Sequence, residues 1–174
     1  QRSLAPLSEL FFCNRNEVDF HDLDRLRNLV RDYRPDIIVN AAAYTNVDKA
    51  ESDSENAFRV NFEAVELLAN EAAVLNSWLI HYSTDYIFDG TKNSSYKEED
   101  KSNPKSVYGK SKLQGELAIM DSKCKYLIFR TSWMYSTYGH NFVNTVLRIA
   151  KERRELRVVC DQIGTPTSAE LVAD

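Results

Sequence analysis

The sequence of 174 residues has no long apolar run and is poor in glycine, proline and cysteine. No stretch approaches the roughly 20 consecutive apolar residues that a membrane-spanning helix needs, so a transmembrane protein is not expected. The five glycines and four prolines exclude a glycine- or proline-rich low-complexity chain. The first residues, QRSLAPLSELFFC, lack the basic start and the cleavage site of a signal peptide. These absences predict a cytoplasmic protein.

Charge and cysteine spacing argue against several kinds of partner. The net charge is -4, so a nucleic-acid partner is not expected, because phosphate binding needs a clustered basic surface. The densest basic stretch, residues 151–155, is interrupted by acids and indicates a solvated helix end. Cys13, Cys124 and Cys160 match neither a metal site nor a disulfide framework and are expected to be buried, reduced thiols. No metal site is predicted.

Short apolar runs alternate with longer amphipathic segments along the chain. The runs predict strands at 10–13, 36–40, 78–83, 126–131 and 156–160, and the amphipathic segments predict helices at 23–33, 54–76, 106–120 and 141–151. This alternation is typical of βαβ units, so we expect residues 1–174 to form a single α/β domain with a parallel sheet covered on both faces. Ligands of such sheets bind beyond the carboxyl ends of the strands. The residues that end each predicted strand are therefore the candidate site residues.

A tyrosine and a lysine four residues apart form the first candidate pair. Tyr108 and Lys112 would share one face of the predicted helix at 106–120. A nearby ammonium stabilises a phenolate and lowers a pKa that is otherwise about 10, so such a tyrosine could exchange a proton near neutral pH. About half a match to this pattern is expected by chance in a chain with nine tyrosines. A surface lysine beside a half-buried tyrosine remains the alternative.

Three further segments have both a functional and an ordinary interpretation. Ser83 and Thr84 end a predicted strand and could join Tyr108 at one carbonyl, or could simply cap a turn. The small residues of 40–43 could allow a flat ligand to approach the backbone, or could only begin the next element. Asp19 and the following Phe20 could hold an adenine edge, or the aspartate could cap the next helix.

The motifs together resemble the extended short-chain dehydrogenase/reductase superfamily, and within it the branch that reduces dTDP-4-dehydro-L-rhamnose to dTDP-L-rhamnose in dTDP-rhamnose synthesis. The matching segments run in order along the chain: QRSLAP, RPDIIVNAAAYTNVDKAE, HYSTDYIFDG, NPKSVYGKSKLQGE, LIFRTSWMY and DQIGTPTSAELVAD. The resemblance implies a Rossmann-like, doubly wound parallel sheet in a three-layer αβα arrangement. It also implies that the first strand with its glycine-rich turn, and most of the C-terminal substrate lobe, are absent from these 174 residues, which contain no GxxGxxG.

The resemblance implies roles for individual residues. Tyr108 is expected to donate the proton, Lys112 to support it and hold the nicotinamide ribose, and Thr84 to hydrogen-bond the substrate oxygen. Positions expected around the cofactor, besides Tyr108 and Lys112, are Asn14, Arg15, Asp19, Phe20, Ala43, Tyr44, Thr45 and Tyr82. Positions expected at the sugar nucleotide are Thr84, Asp85 and Trp133.

The end of the second sheet strand should decide which nicotinamide is used. An acid there bonds the ribose 2′-hydroxyl of NAD, whereas an arginine accommodates a 2′-phosphate. Asn14 and Arg15 lie at this place, so we expect NADPH to be preferred and NADH to be tolerated. Residues 14–16 could instead be a polar surface turn.

Two other functions remain open at this stage. A nucleotide-sugar epimerase or dehydratase would share Tyr108 and Lys112. A dehydratase would also need a pair of acidic residues after Thr84, and the sequence Asp85-Tyr86 disfavours it. The regulatory β subunit of methionine adenosyltransferase resembles the same superfamily and acts without catalysis. The resemblance also allows a homodimer.

Overall fold

The computed structural model describes residues 9–174, and their contacts divide into two compact units. One unit spans residues 13–130, and the other combines residues 131–174 with residues 9–12. The single domain expected from the sequence stays a prediction. The QRSLAP segment lies outside the described residues. Within residues 9–174, no helix is long and apolar enough to cross a membrane.

Helices alternate with three strands in the larger unit. The elements are α1 (Leu23–Tyr33), β1 (Ile37–Asn40), α2 (Val47–Ala50), α3 (Ser54–Phe58), a π turn (Arg59–Glu63), α4 (Ala64–Leu75), β2 (Trp78–Thr84), a 3₁₀ turn (Asp85–Ile87), α5 (Val107–Asp121) and β3 (Lys125–Thr131). The sheet has the order β1-β2-β3. The first two strands are parallel, with Ile37 opposite Trp78 and Asn40 opposite His81. The predicted α/β class with a parallel sheet is confirmed.

Local signals explain where α1 begins and ends. The Asp22 carboxylate accepts a hydrogen bond from the Arg25 backbone N–H, which satisfies a donor of the first turn. Arg34 closes the helix in the left-handed conformation, at φ 47°, and Pro35 prevents its continuation. Leu26 and Val30, one turn apart, turn the apolar stripe of α1 into the core.

The helices of the larger unit pack on one face of its sheet. Ile38, Leu79 and Ile128 pack into the cluster that includes buried residues of α1, α4 and α5. Side chains alternate along a strand, so Val39 and Phe129 point to the other face, where they are exposed. The helix-covered face therefore holds the core.

The smaller unit contains two short parallel strands and two helices. Its elements are β4 (Met134–Tyr135), α6 (Phe142–Ile149), β5 (Thr167–Ser168) and α7 (Ala169–Ala173). The Asn141 side chain caps α6 by accepting from the Asn144 backbone N–H.

Two of the predicted strands are wrong. Residues 10–13 and 156–160 are not strands in the structure. A strand requires a neighbour that satisfies its backbone N–H and C=O groups, and an apolar run alone does not supply one.

Candidate active site

Thr84 and Tyr108 meet at the carboxyl end of β2. Thr84 is the last residue of β2, and its Oγ1 accepts a hydrogen bond from the Tyr86 backbone N–H at 3.2 Å. Tyr108 lies in the first turn of α5, which Ser106 caps through the Gly109 N–H. The Thr84 hydroxyl is near enough to the phenol of Tyr108 to affect its pKa. The convergence of hydroxyl and phenol that the sequence suggests is therefore present.

The phenol of Tyr108 is held in a largely buried position. Its ring meets the Tyr86 ring edge-to-face, with centroids 5.6 Å apart. Burial raises the pKa of Tyr108 above its usual value near 10, the nearby Thr84 hydroxyl lowers it in part, and Asp85 and Tyr86 raise it further. The sequence predicts that Lys112 lowers this pKa, whereas in the structure burial is the largest effect on it and raises it. The phenol therefore stays protonated at neutral pH.

Lys112 lies one turn after Tyr108 but directs its Nζ at β2. The Nζ donates to the Tyr82 carbonyl oxygen at 2.6 Å and lies 3.2 Å from His81 Nε2. Burial lowers the pKa of Lys112 to about 8, and the charge of Glu116 opposes this. The ammonium and the neutral amine are therefore both accessible near neutral pH.

The turn after β1 is tied to α5 through one buried asparagine of the π turn. The Asn61 Oδ1 accepts from the Tyr44 N–H, and its Nδ2 lies within hydrogen-bond distance of the Tyr44 carbonyl and of Ser111 Oγ, at 3.0 Å each. The Tyr44 hydroxyl donates to Asp53 at 3.0 Å. Ala43 is half-buried and Thr45 exposed in the same turn. These contacts fix a small-residue segment at the carboxyl end of β1.

The predicted adenine segment is occupied by local contacts. Asp19 Oδ1 accepts from the His21 N–H and lies 2.6 Å from His21 Nδ1. These hydrogen bonds lower the pKa of Asp19 to about 2. Phe20 packs against the core, while Arg15 is exposed with its Nε 3.4 Å from Asp19 Oδ2. Asn14 forms the start of the turn, accepting through its carbonyl from the Glu17 N–H.

The remaining predicted residues are divided between the units. Tyr82 stacks on Phe129 with ring centroids 6.0 Å apart, and burial raises its pKa. Asp85 follows Thr84 in the 3₁₀ turn and accepts from Thr84 Oγ1 at 3.3 Å. Trp133 belongs to the smaller unit and has a left-handed backbone, at φ 45°. A Cβ on Gly164 would lie 2.8 Å from Trp133 Cε2, so a glycine there lets the indole pack closely.

A family model described as the RmlD substrate binding domain matches residues 1–174. The chain belongs to this family. The resemblance drawn from the motifs is confirmed by this match.

Relatives in this family include dTDP-4-dehydrorhamnose reductases of known sequence and structure. The protein so named from Salmonella typhimurium is 50% identical over 182 residues, covering 100% of this chain and 60% of that protein. A Bacillus anthracis dTDP-4-dehydrorhamnose reductase solved in complex with NADP has a TM-score of 0.92 at 34% identity, covering 99% of this chain and 63% of that one. The Clostridium acetobutylicum reductase structure has a TM-score of 0.94 at 35% identity, over 99% and 61%. The chain thus spans about 60% of the length of the curated relatives it matches.

Two residues of this family member escape the sequence analysis. The position of His81 could have been predicted from the alternation of side chains along a strand, because His81 lies two residues before Ser83 and therefore on the same face of β2. No sequence signal marks Asn61, because the π turn in which it lies does not interrupt the helical pattern of residues 54–75. No group of three or more metal-binding side chains occurs among residues 9–174.

Proposed function

We propose that the whole protein is an NADPH-dependent reductase that converts dTDP-4-dehydro-L-rhamnose to dTDP-L-rhamnose. The observation that carries this proposal is the position of Thr84 at the end of β2 near Tyr108 in the first turn of α5, with Lys112 one turn further along the same helix. Hydroxyl and phenol can then both contact one carbonyl oxygen beyond the end of β2. The names of the relatives point to the same reaction.

The residues after β1 fit a nicotinamide dinucleotide. Ala41 and Ala42 are exposed, and their small side chains let a flat ligand approach the backbone. Asn40 Oδ1 and Asn61 hold the turn in place through the Ala42 and Tyr44 N–H groups. When bound, NADP(H) would supply the hydride. Ala43, Tyr44, Thr45 and Tyr82 would line it, and Lys112 would hold its ribose.

The chain's own residues would manage the proton. Tyr108 would protonate the oxygen that develops at the sugar C4, because its phenol stays protonated at neutral pH. Thr84 would donate a hydrogen bond to the same oxygen, and Asp85 and Trp133 would contact the sugar nucleotide. The neutral amine accessible to Lys112 makes it a suitable partner in restoring the proton.

The test is turnover by the whole protein with NADPH and the keto sugar nucleotide. We expect the absorbance of NADPH to fall while an equimolar amount of dTDP-L-rhamnose is formed. Tyr108→Phe should lower kcat by roughly 10²–10⁴-fold with little change in cofactor binding. The matched control is Tyr138→Phe, at an exposed tyrosine of the smaller unit.

Each rival function gives a different result in this assay. An epimerase would yield an isomer without net NADPH consumption, and a non-catalytic regulatory subunit would bind nucleotide without turnover. Near wild-type kcat in Tyr108→Phe would remove the phenol from the mechanism.

We also propose a cytoplasmic location, which suits the free Cys13, Cys124 and Cys160 thiols. The expectation that all three are buried is wrong, since Cys13 and Cys160 are exposed and only Cys124 is buried. The homodimer stays a prediction, to be checked by light scattering of the eluting protein.

A further inference from the structure

A buried chain of three polar side chains links β1 and β2 to α5, and its middle member, His81, has no role in the proposed reaction. Asn40 on β1, His81 on β2 and Lys112 on α5 are each at most 3% exposed. Asn40 Nδ2 lies 3.1 Å from His81 Nδ1, and Lys112 Nζ lies 3.2 Å from His81 Nε2. The parallel register that sets Asn40 opposite His81 brings the first two together.

The amide of Asn40 has a fixed orientation in this arrangement. Its Oδ1 accepts from the Ala42 backbone N–H at 3.1 Å. Reversing the amide would set two donors against each other at that contact. Nδ2 is therefore the atom that faces the imidazole, and it donates to His81 Nδ1.

The proton on His81 follows from this orientation. Burial lowers the pKa of His81 to about 3, with Lys112 adding to the effect, so the ring is neutral and carries one N–H. Because Nδ1 accepts from Asn40, the proton is on Nε2 and points at Lys112 Nζ. The neutral amine can accept this hydrogen bond while donating to the Tyr82 carbonyl, whereas an ammonium cannot.

Protonation of Lys112 must then change the whole chain of contacts. An ammonium needs Nε2 as an acceptor, which moves the imidazole proton to Nδ1. That N–H requires the Asn40 oxygen, so the amide reverses and the Ala42 N–H loses its acceptor. The groups that titrate or carry charge around Lys112 are His81 from β2, and Glu116 and Tyr108 from α5.

We propose that His81 is a positioning residue that holds Lys112 Nζ and couples the proton on Lys112 to the Asn40–Ala42 turn through its ring tautomer. The amine state corresponds to the Nε2–H tautomer with the turn hydrogen bond made. The ammonium state corresponds to the Nδ1–H tautomer with that bond broken. The coupling connects the proton partner of Tyr108 with the turn expected to line the cofactor, so its kinetic consequence rests on the proposed function.

The direct test reads the tautomer in the whole protein without substrate. Long-range proton–nitrogen correlation spectra of histidine-labelled protein distinguish Nε2–H from Nδ1–H, and His81→Gln assigns the signal. We expect Nε2–H on the basic side of the Lys112 titration and Nδ1–H on the acidic side, with the Ala42 amide shifting at the same midpoint. One unchanged tautomer across the titration, or an imidazolium, would overturn the proposal even if the protein is an active reductase.

Two variants test the coupling independently. In Asn40→Asp the carboxylate can only accept, so it fixes the Nδ1–H tautomer and presents Nε2 to the ammonium. The midpoint for Lys112, read from the Ala42 amide or the basic limb of kcat/KM, should rise by about one unit or more. In His81→Phe the Ala42 amide should no longer respond to that titration. The control is His140→Gln, at an exposed histidine of the smaller unit.

An unshifted midpoint in folded Asn40→Asp would contradict the coupling. If His81→Phe fails to fold, the wild-type spectra still decide. If turnover is absent but the tautomer changes as expected, the coupling stands and the proposed reaction fails.

Discussion

Gly115→Ala should destabilise the larger unit, although alanine is the better helix former. Gly115 lies in the middle of α5, where the change alone would favour the helix by about 1 kcal/mol. A Cβ at this position would, however, lie well inside van der Waals contact of the Asn61 carbonyl oxygen, and 3.5 Å from Val65 Cγ1. The obstacle is backbone of the π turn, which cannot rotate away as a side chain could.

The magnitude follows from these opposed effects. Inserting a carbon into a packed contact costs about 1–3 kcal/mol, and a backbone obstacle favours the upper end. Subtracting the helix preference leaves a net loss of about 2 kcal/mol in the free energy of unfolding. The same displacement would separate Asn61 from Ser111 Oγ, so the Tyr44 turn should loosen as well.

Urea denaturation of the whole protein, followed by circular dichroism, measures this loss. Gln114→Ala, at the exposed neighbouring position of α5, is the control and should change stability by less than about 0.5 kcal/mol. Equal or greater stability of Gly115→Ala would refute the argument, because it would mean that helix preference outweighs the close approach of α5 to the π turn.

Three further predictions concern charges. Arg15→Ala should erase most of a roughly ten- to hundredfold preference for NADPH and leave NADH kinetics nearly unchanged, because a charge-assisted contact contributes about 1.5–3 kcal/mol. The control is Arg25→Ala, at an exposed arginine of α1. Equal loss of activity with both cofactors would exclude Arg15 from recognition of the 2′-phosphate. Hydrogen bonds with His21 lower the pKa of Asp19 from 3.8 to about 2, so this carboxylate should stabilise the folded protein above about pH 4, and that stabilisation should be lost as the pH falls towards 2. In Asp19→Asn this pH-dependent part of acid unfolding should be absent. An acid-unfolding profile identical to that of the wild type would contradict the prediction. Glu116→Gln should cost about 3 kcal/mol in urea denaturation, because it removes the fully buried carboxylate that lies 2.7 Å from Arg130 and leaves that guanidinium without its charged partner. A loss no larger than that of exposed Glu66→Gln would count against this.

The sequence predicts best those features that depend on local patterns. Residues 36–40 and 78–83 are apolar runs between turn signals, and β1 and β2 lie there. Because ligands of parallel sheets bind at the carboxyl ends of the strands, the sequence predicts that Thr84 lies near Tyr108, and both are found at the carboxyl end of β2. Residues 10–13 and 156–160 have similar composition but no strand partner, and pairing is a property that an isolated run does not contain.

Features that depend on register and burial could not be predicted in this way. His81 contacts Asn40 only because the two strands pair in one particular register. Asp19 matches an adenine position by sequence, yet its carboxylate already accepts from His21 two residues later. The side chain of Asn61 reaches both Tyr44 and Ser111 because a π turn redirects it, and the helical pattern does not reveal that turn.

The spacing of Tyr108 and Lys112 predicts that they share one face of a helix, but it does not predict the protonation state of either side chain. Burial acts on the two groups in opposite directions, raising the pKa of the phenol and lowering that of the amine to about 8, so it favours the neutral form of each. A phenol that keeps its proton at neutral pH is suited to donate to a developing alkoxide, and it is poorly suited to remove a proton from an alcohol. The nearby Thr84 hydroxyl lowers the pKa of the phenol in part, and Lys112 donates to the Tyr82 carbonyl of β2. The arrangement of these residues in the larger unit therefore favours the reductive direction of the proposed reaction.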